Sequence, residues 1–248
     1  MSNNVCIVQP GNIGDIIICL PIAKHFHECG FNVKWFVWEH IYSHFNKGHV
    51  DYVDFFSINT AHWYDNVLKT CDINDWTVVD LCFTQHGCWH NTNTTKYQQQ
   101  NTMSFDQFKY KLADVDFENK WTLDLTRDME REKKLNDRIK INDHDKICLF
   151  SDVASDTRVN VKLDLSNYSG RVARVESLTD CVFDWLGAFE TCDRFVLIES
   201  CFSNLLDQLN MVHSKCVLLP KKGYYGDVLI DDRHKGMPVL RGDWQVLN

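Results

Sequence analysis

The five residues from Gly11 to Asp15, GNIGD, place two glycines and a carboxylate between one apolar run, VCIVQ, and another, IIICLPIA. Two glycines permit a tight turn and a close backbone approach to a ligand, and a helix that starts there offers unpaired N–H groups to an anion. Asp15 has two readings. As a helix cap it gains about 0.3 to 1 kcal/mol from the helix dipole. As part of a ligand-binding turn it lies where a phosphate or a sugar would sit.

Other chemistry-bearing residues are weaker candidates. Cys82, His86, Cys88 and His90 cluster within LCFTQHGCWH, but their spacing matches none of the paired patterns of a tetrahedral zinc site, so no metal site is assigned. The same stretch reads better as a polar loop in which Trp89, beside His86, stacks on a sugar or a base. His40 and His44 lie one helical turn apart without the Glu of H-E-x-x-H and read as surface residues. Glu39 stands where a dinucleotide-binding domain has its ribose-binding acid, yet GNIGD lacks the G-x-G-x-x-G spacing. No Ser–His–Asp or Cys–His constellation has positional support.

The elements that must position these residues alternate. VCIVQ predicts a strand, DIIICLPIAKHFHEC a helix ended by Gly30, and FNVKWFVW a second strand. A helix from Glu39 to Asn46, the strand VDYVDFFSI, the helix HWYDNVLKTC and the strand TVVDLCF follow. Residues 84–102 are polar and without hydrophobic period, which predicts a long loop or lid. After it come a helix over Ser104 to Ala113, a strand WTLDL, and the charged TRDMEREKKLNDRIK, read as an exposed helix joining two halves. The second half restarts with the strand KICLFSD, and then come RVARVE, the helix SLTDCVFDWLGAFETC, the strand RFVLIES, the helix CFSNLLDQLNM and the strand KCVLLP. Alternating β and α units predict parallel sheets flanked by helices, hence an α/β protein with an N-terminal domain over 1–126, a linker helix over 127–142 and a C-terminal domain over 143–248.

Composition narrows the function classes. The net charge of -8 over 248 residues provides no global electrostatic footprint for nucleic acid, although the basic residues between Arg127 and Lys140 would form a local phosphate-binding face. No apolar run reaches the roughly 18 residues of a membrane span, and the N-terminus lacks a signal-peptide layout, which predicts a cytoplasmic protein. Eleven cysteines are scattered without any C-x-x-C pair, as expected of reduced thiols. Only 4 prolines beside abundant Asn, Asp and Lys fit an AT-rich genome such as a viral one, in which case the location is the host cytoplasm. The oligomeric state is not encoded in any of these features.

Two separated segments carry a family resemblance. Gly14, Asp15, Leu20 and Pro21 in GNIGDIIICLPIAKHF, and Glu199, Ser200, Ser203 and Leu205 in RFVLIESCFSNLLDQL, occur in the order in which the ADP-heptose:lipopolysaccharide heptosyltransferases and their relatives have their Gly-Asp helix start and their donor-site turn. The chain resembles that family over roughly its first forty residues and over 177–220. Cys201 stands where the family usually has Gly and Asn204 where it usually has His, which changes the shape and hydrogen bonding of the donor pocket.

The resemblance implies a GT-B fold of two Rossmann-like domains, the second one short, and a possible phage-encoded relative of the family. It implies an inverting, metal-independent transfer of a sugar from a nucleotide-diphosphate sugar to an acceptor hydroxyl of a glycan or of a hydroxymethylated base in phage DNA. Asp15 would be the base, and no cofactor besides the donor substrate is implied. Gly14, Glu199, Ser200, Ser203 and Asn204, with Arg158 or Lys162 in the place of the family's phosphate-holding Lys, would bind the donor; Asn12, His86 and Trp89 would lie on the acceptor side. The rival reading is a catalytically silent module that binds a nucleotide or nucleotide sugar.

Overall fold

The computed structural model describes residues 3–82, 103–141, 146–154, 168–213, 216–219 and 238–246. The chain divides into two compact units, one comprising Met1–Leu125 with Val228–Val239 and the other Thr126–Asp227 with Leu240–Asn248.

The first unit is built on a parallel sheet of β1 (Asn4–Val8), β2 (Asn32–Trp38), β3 (Val53–Ile58) and β4 (Thr77–Asp80), in the order β3-β2-β1-β4. The central strand β1 reads NVCIV and is buried after its first residue, as a strand covered on both faces must be. Cys6 and Val8 of β1 pack with Trp63, Val67 and Cys71 of α3 (Trp63–Ile73). Helix α1 (Ile13–Glu28) buries an unbroken run from Ile16 to Ala23, and it packs on β2, on β3, on α4 (Phe105–Ala113) and on a 3-10 turn (Phe117–Thr122). A helix apolar on all sides is stable only when enclosed in this way, each buried Ile or Leu contributing about 1.5 to 3 kcal/mol. The helix stops at Gly30, whose φ of 89° is open to glycine and strained for other residues. The short helix α2 (Glu39–Phe45) lies between β2 and β3 in sequence.

One sequence expectation changes here. Trp121–Leu125, expected as a strand, instead continues from the 3-10 turn: Asp116 caps the turn by accepting from Glu118 N at 2.9 Å, and Lys120 is drawn into the interior. Lys120 Nζ lies 2.6 Å from Asp106 Oδ2 with both side chains fully buried, and the same Asp106 oxygen accepts from Val239 N at 2.8 Å. This ion pair fastens the returning segment at Val239 within the first unit.

The second unit has a parallel sheet of β5 (Ile147–Ser151), β6 (Arg171–Arg174), β7 (Arg194–Ile198), β8 (Val217–Leu219) and β9 (Gln245–Val246), in the order β6-β5-β7-β8-β9. Cys148, Val196, Ile198, Val217 and Leu219 form one apolar cluster with Ala154. Helix α5 (Met129–Ile139), read from the sequence as a linker, is tied into this unit by its own charges. Arg131 bonds both oxygens of Asp184, at 2.9 and 2.6 Å, and Arg127 pairs with Glu132 and with Glu190. The helix expected over SLTDCVFDWLGAFETC begins late, as a 3-10 turn (Val182–Trp185) running into α6 (Leu186–Thr191), because Thr179 Oγ1 accepts from Cys181 N and holds the preceding residues in a turn. Helix α7 (Cys201–Gln208) follows β7 directly. Asp207 accepts from Arg241 N, Gly242 N and Trp244 Nε1 and so places the last strand, β9, beside β8.

Among the described residues no helix is long and apolar enough to cross a membrane, and no described cysteine is in a disulfide.

Candidate functional site

The first unit's sheet changes direction between β1 and β4: the chain leaves β1 toward β2 and β3, then returns to the opposite side of β1 as β4. Crevices at the carboxyl ends of strands at such a switch point are where open α/β sheets bind ligands. Gln9 to Asp15 lie at the end of β1, and Leu81 and Cys82 lie at the end of β4, joined by Leu81 N to Val8 O at 3.0 Å.

Asp15 is the third residue of α1 and is half-buried. Its Oδ2 accepts from Asn12 N at 2.9 Å, one half of a capping box in which Asn12 is the N-cap. One hydrogen bond uses only part of a carboxylate's acceptor capacity, so capping and proton transfer are compatible. Gly11 makes the arrangement possible. A Cβ there would stand 2.5 Å from Gln9 Nε2 and 2.6 Å from Asp15 Oδ2, so any side chain would force the amide and the carboxylate apart. Asn12 is exposed at the mouth of this turn, and Gly14 lies half-buried inside the first turn of α1.

Beneath the turn are two residues that the sequence reading did not single out. Gln9 is 3% exposed, and its backbone carbonyl accepts from Trp35 Nε1 at 2.8 Å. Lys109, on α4, is fully buried, and its Nζ donates to Gln9 Oε1 and to Leu81 O. Burial pulls the Lys109 ammonium below the usual lysine range, while Cys19, Asp15, Cys82 and Asp80 oppose that pull. The legible signal was a lysine on the apolar face of FDQFKYKLA, four residues after Phe105 and four before Ala113.

In the second unit the corresponding switch point lies between β5 and β7. Glu199 follows β7, is 8% exposed, and donates its N–H to Leu219 O at 2.9 Å. Ser200 is the N-cap of α7. Ser203 Oγ accepts from Ser200 N and donates to Ser200 O, both at 2.9 Å, so this hydroxyl supports the turn from the inside. Asn204 Nδ2 also donates to Ser200 O, at 3.0 Å. Ser200 Oγ and Asn204 Oδ1 are buried atoms with no hydrogen-bond partner among the described residues. Burial pushes the Cys201 thiol up to about 12, which keeps it protonated at neutral pH.

The structure thus gathers Asn12, Gly14 and Asp15 in one turn of the first unit, and Glu199, Ser200, Ser203 and Asn204 in one turn of the second. His86, Trp89, Arg158 and Lys162 lie outside the described residues, as do Cys88 and His90. Glu39 is exposed at the start of α2 and accepts from Asn59 Nδ2 at 3.2 Å.

Two α/β units with parallel sheets, each with a helix starting at the carboxyl end of a central strand, make this a GT-B-like fold, as the Gly14–Asp15 and Glu199–Leu205 resemblance implied. The chain is similar to the solved structure of the glycosyl transferase family 9 from Veillonella parvula DSM 2008, with a TM-score of 0.64 and 10% identity, over 100% of this chain and 87% of that one. It is also similar to E. coli ADP-heptose lps heptosyltransferase II, with a TM-score of 0.54 and 9% identity, over 100% of this chain and 90% of that one. No protein-family model and no curated protein sequence matches the chain. At these identities the likeness is one of fold.

Proposed function

We propose that this protein is an inverting glycosyltransferase that moves a sugar from a nucleotide-diphosphate sugar to an acceptor hydroxyl, with Asp15 as the general base. The observation that carries the reading is the position of the Asp15 carboxylate in the first turn of α1, at the switch point of the first sheet. The names of the two similar structures, a family 9 glycosyl transferase and a heptosyltransferase, support the reaction class.

In this scheme the acceptor oxygen attacks the anomeric carbon and its proton passes to Asp15. The bond from that carbon to the diphosphate oxygen breaks as the new one forms, so configuration inverts. The departing diphosphate carries negative charge, and the N–H groups at the start of α7 offer it a positive helix end. Ser200 Oγ and Asn204 Oδ1, buried and unpartnered among the described residues, are the groups whose hydrogen bonds a donor would complete. Arg158 and Lys162 are proposed helpers for the phosphates, and the scheme routes no step through a metal.

For the acceptor, the charge pattern on α5 favours a glycan over DNA. Lys133 pairs with Asp137 and Lys134 with Glu130, both at 2.6 Å, so this helix offers phosphates little uncompensated charge. Asn12 is the described acceptor-side residue, with His86 and Trp89 proposed beside it. A cytoplasmic location fits a nucleotide-sugar donor.

A second reading, a catalytically silent nucleotide-sugar binding module, is favoured by the capping contact of Asp15 with Asn12 N and by Cys201 and Asn204 in the donor turn. Thermal stabilisation against a panel of ADP-, GDP-, UDP- and CMP-sugars tests both readings. A ligand at about 100 times its dissociation constant raises stability by about 2.7 kcal/mol. No shift with any member of the panel would contradict both, and a shift with turnover would select the enzyme.

A further inference from the structure

Lys109 is an ammonium group held at 0% exposure inside an apolar helix face, an expensive arrangement unless its charge is used. Its Nζ spans the two strand ends that form the switch point, donating to Leu81 O after β4 and to Gln9 Oε1 after β1, and it stands 4.8 Å from the centre of the Phe105 ring. The other end of the same Gln9 amide, Nε2, flanks the point 2.6 Å from Asp15 Oδ2 where Gly11 has no side chain. Lys109 therefore holds the Gln9 amide, and that amide and the Asp15 carboxylate flank the same Gly11 position.

We propose that Lys109 is a positioning residue of the Asp15 site: its buried ammonium fixes the Gln9 amide near the carboxylate and places a positive charge behind it. The inference rests on the reading of Asp15 as the base. A general base must be ionised before it can accept a proton, and a nearby positive charge favours the ionised form. Such a charge must be screened from water to act strongly, which accounts for full burial. Among the described residues, the other ionisable groups of this neighbourhood include Cys19 on α1, Tyr110 on α4, Asp80 and Cys82 at the end of β4, and Asp106 with its partner Lys120. Burial pushes the Cys19 thiol up to about 12, so it stays neutral. Asp80 is engaged by Tyr64 Oη at 2.9 Å and by Cys82 N at 3.0 Å, and Asp106 is neutralised by Lys120. Lys109 is thus, among the described residues, a cation placed to act on Asp15.

The test needs no substrate. In protein labelled with carboxyl-¹³C aspartate, the Asp15 signal is assigned by its loss in Asp15→Asn and followed through an acid titration in the unsubstituted protein and in Lys109→Met. Removing the charge should move the midpoint of the Asp15 signal upward by about one pH unit. Because Lys109→Met alone leaves Gln9 Oε1 and Leu81 O without their donor, Lys109→Met with Gln9→Met serves as a second variant that removes the side-chain partners together. It should fold and show the same upward displacement. An unmoved or lowered midpoint in a folded variant would overturn the proposal and leave Lys109 a structural strut. Failure of the underlying reading looks different: Asp15→Asn would keep sugar transfer while the titration still moved.

Discussion

Gly11 and Asp15 are fitted to one another: a methyl group on Gly11 would stand 2.6 Å from Asp15 Oδ2 and 2.7 Å from Asp15 Cβ. Gly11→Ala should therefore displace the carboxylate or the Gln9 amide. The expected cost is about 1 to 3 kcal/mol of stability, the usual range for forcing a methyl group into a packed site. A displaced base also loses its geometry, so turnover should fall by about 10²-fold. Urea unfolding beside a transfer assay checks both, and unchanged values would mean that the turn relaxes without consequence.

The donor turn yields a second expectation. Ser200→Glu would place a negative charge at the start of α7, where the diphosphate is proposed to bind. Nucleotide affinity measured by calorimetry should fall by about tenfold, since an anion there loses the favourable helix end and gains a like charge. Unchanged affinity would move the donor site elsewhere.

The Asp106–Lys120 pair is buried on both sides, so breaking one half should cost far more than removing both. Asp106→Leu alone should destabilise by about 3 to 5 kcal/mol, and Asp106→Leu with Lys120→Met should recover much of that loss. Equal unfolding midpoints for the single and double variants would show that the pair is not what fastens Val239.

The described lysines of α5 predict the salt response. With Lys133 and Lys134 already paired on their own helix, transfer to the acceptor should vary little with added salt, and reversing both charges should leave it within about twofold. A steep loss between low and physiological salt would restore a nucleic-acid acceptor.

Much of this organisation was legible in the residues because local chemistry and global fold agree. The run from Val5 to Gly30 announces strand, turn and helix by apolar content, by glycine and by a carboxylate at the helix start, and the structure has all three. The turn after β7 was equally plain from RFVLIESCFSN. Two of the misses share a cause. Trp121–Leu125 looked like a strand because alternation was the only local signal, whereas a contact with Asp106, fourteen residues earlier, decides its shape through Lys120. Lys109 stands on the apolar face of its helix, but its role was hidden for the same reason: its acceptors lie 100 and 28 residues away, and no local pattern records them.

The central claim is that Asp15 accepts a proton during sugar transfer, and Asp15→Asn tests it most directly. Asn caps a helix about as well as Asp but cannot take up a proton at neutral pH. The measurement is single-turnover transfer with the donor found in the nucleotide-sugar panel, beside a melting curve for each protein. The account predicts an unchanged fold and unchanged donor binding with transfer lowered by about 10²- to 10⁴-fold. Transfer at the unsubstituted rate by Asp15→Asn would contradict it and leave Asp15 as a helix cap alone.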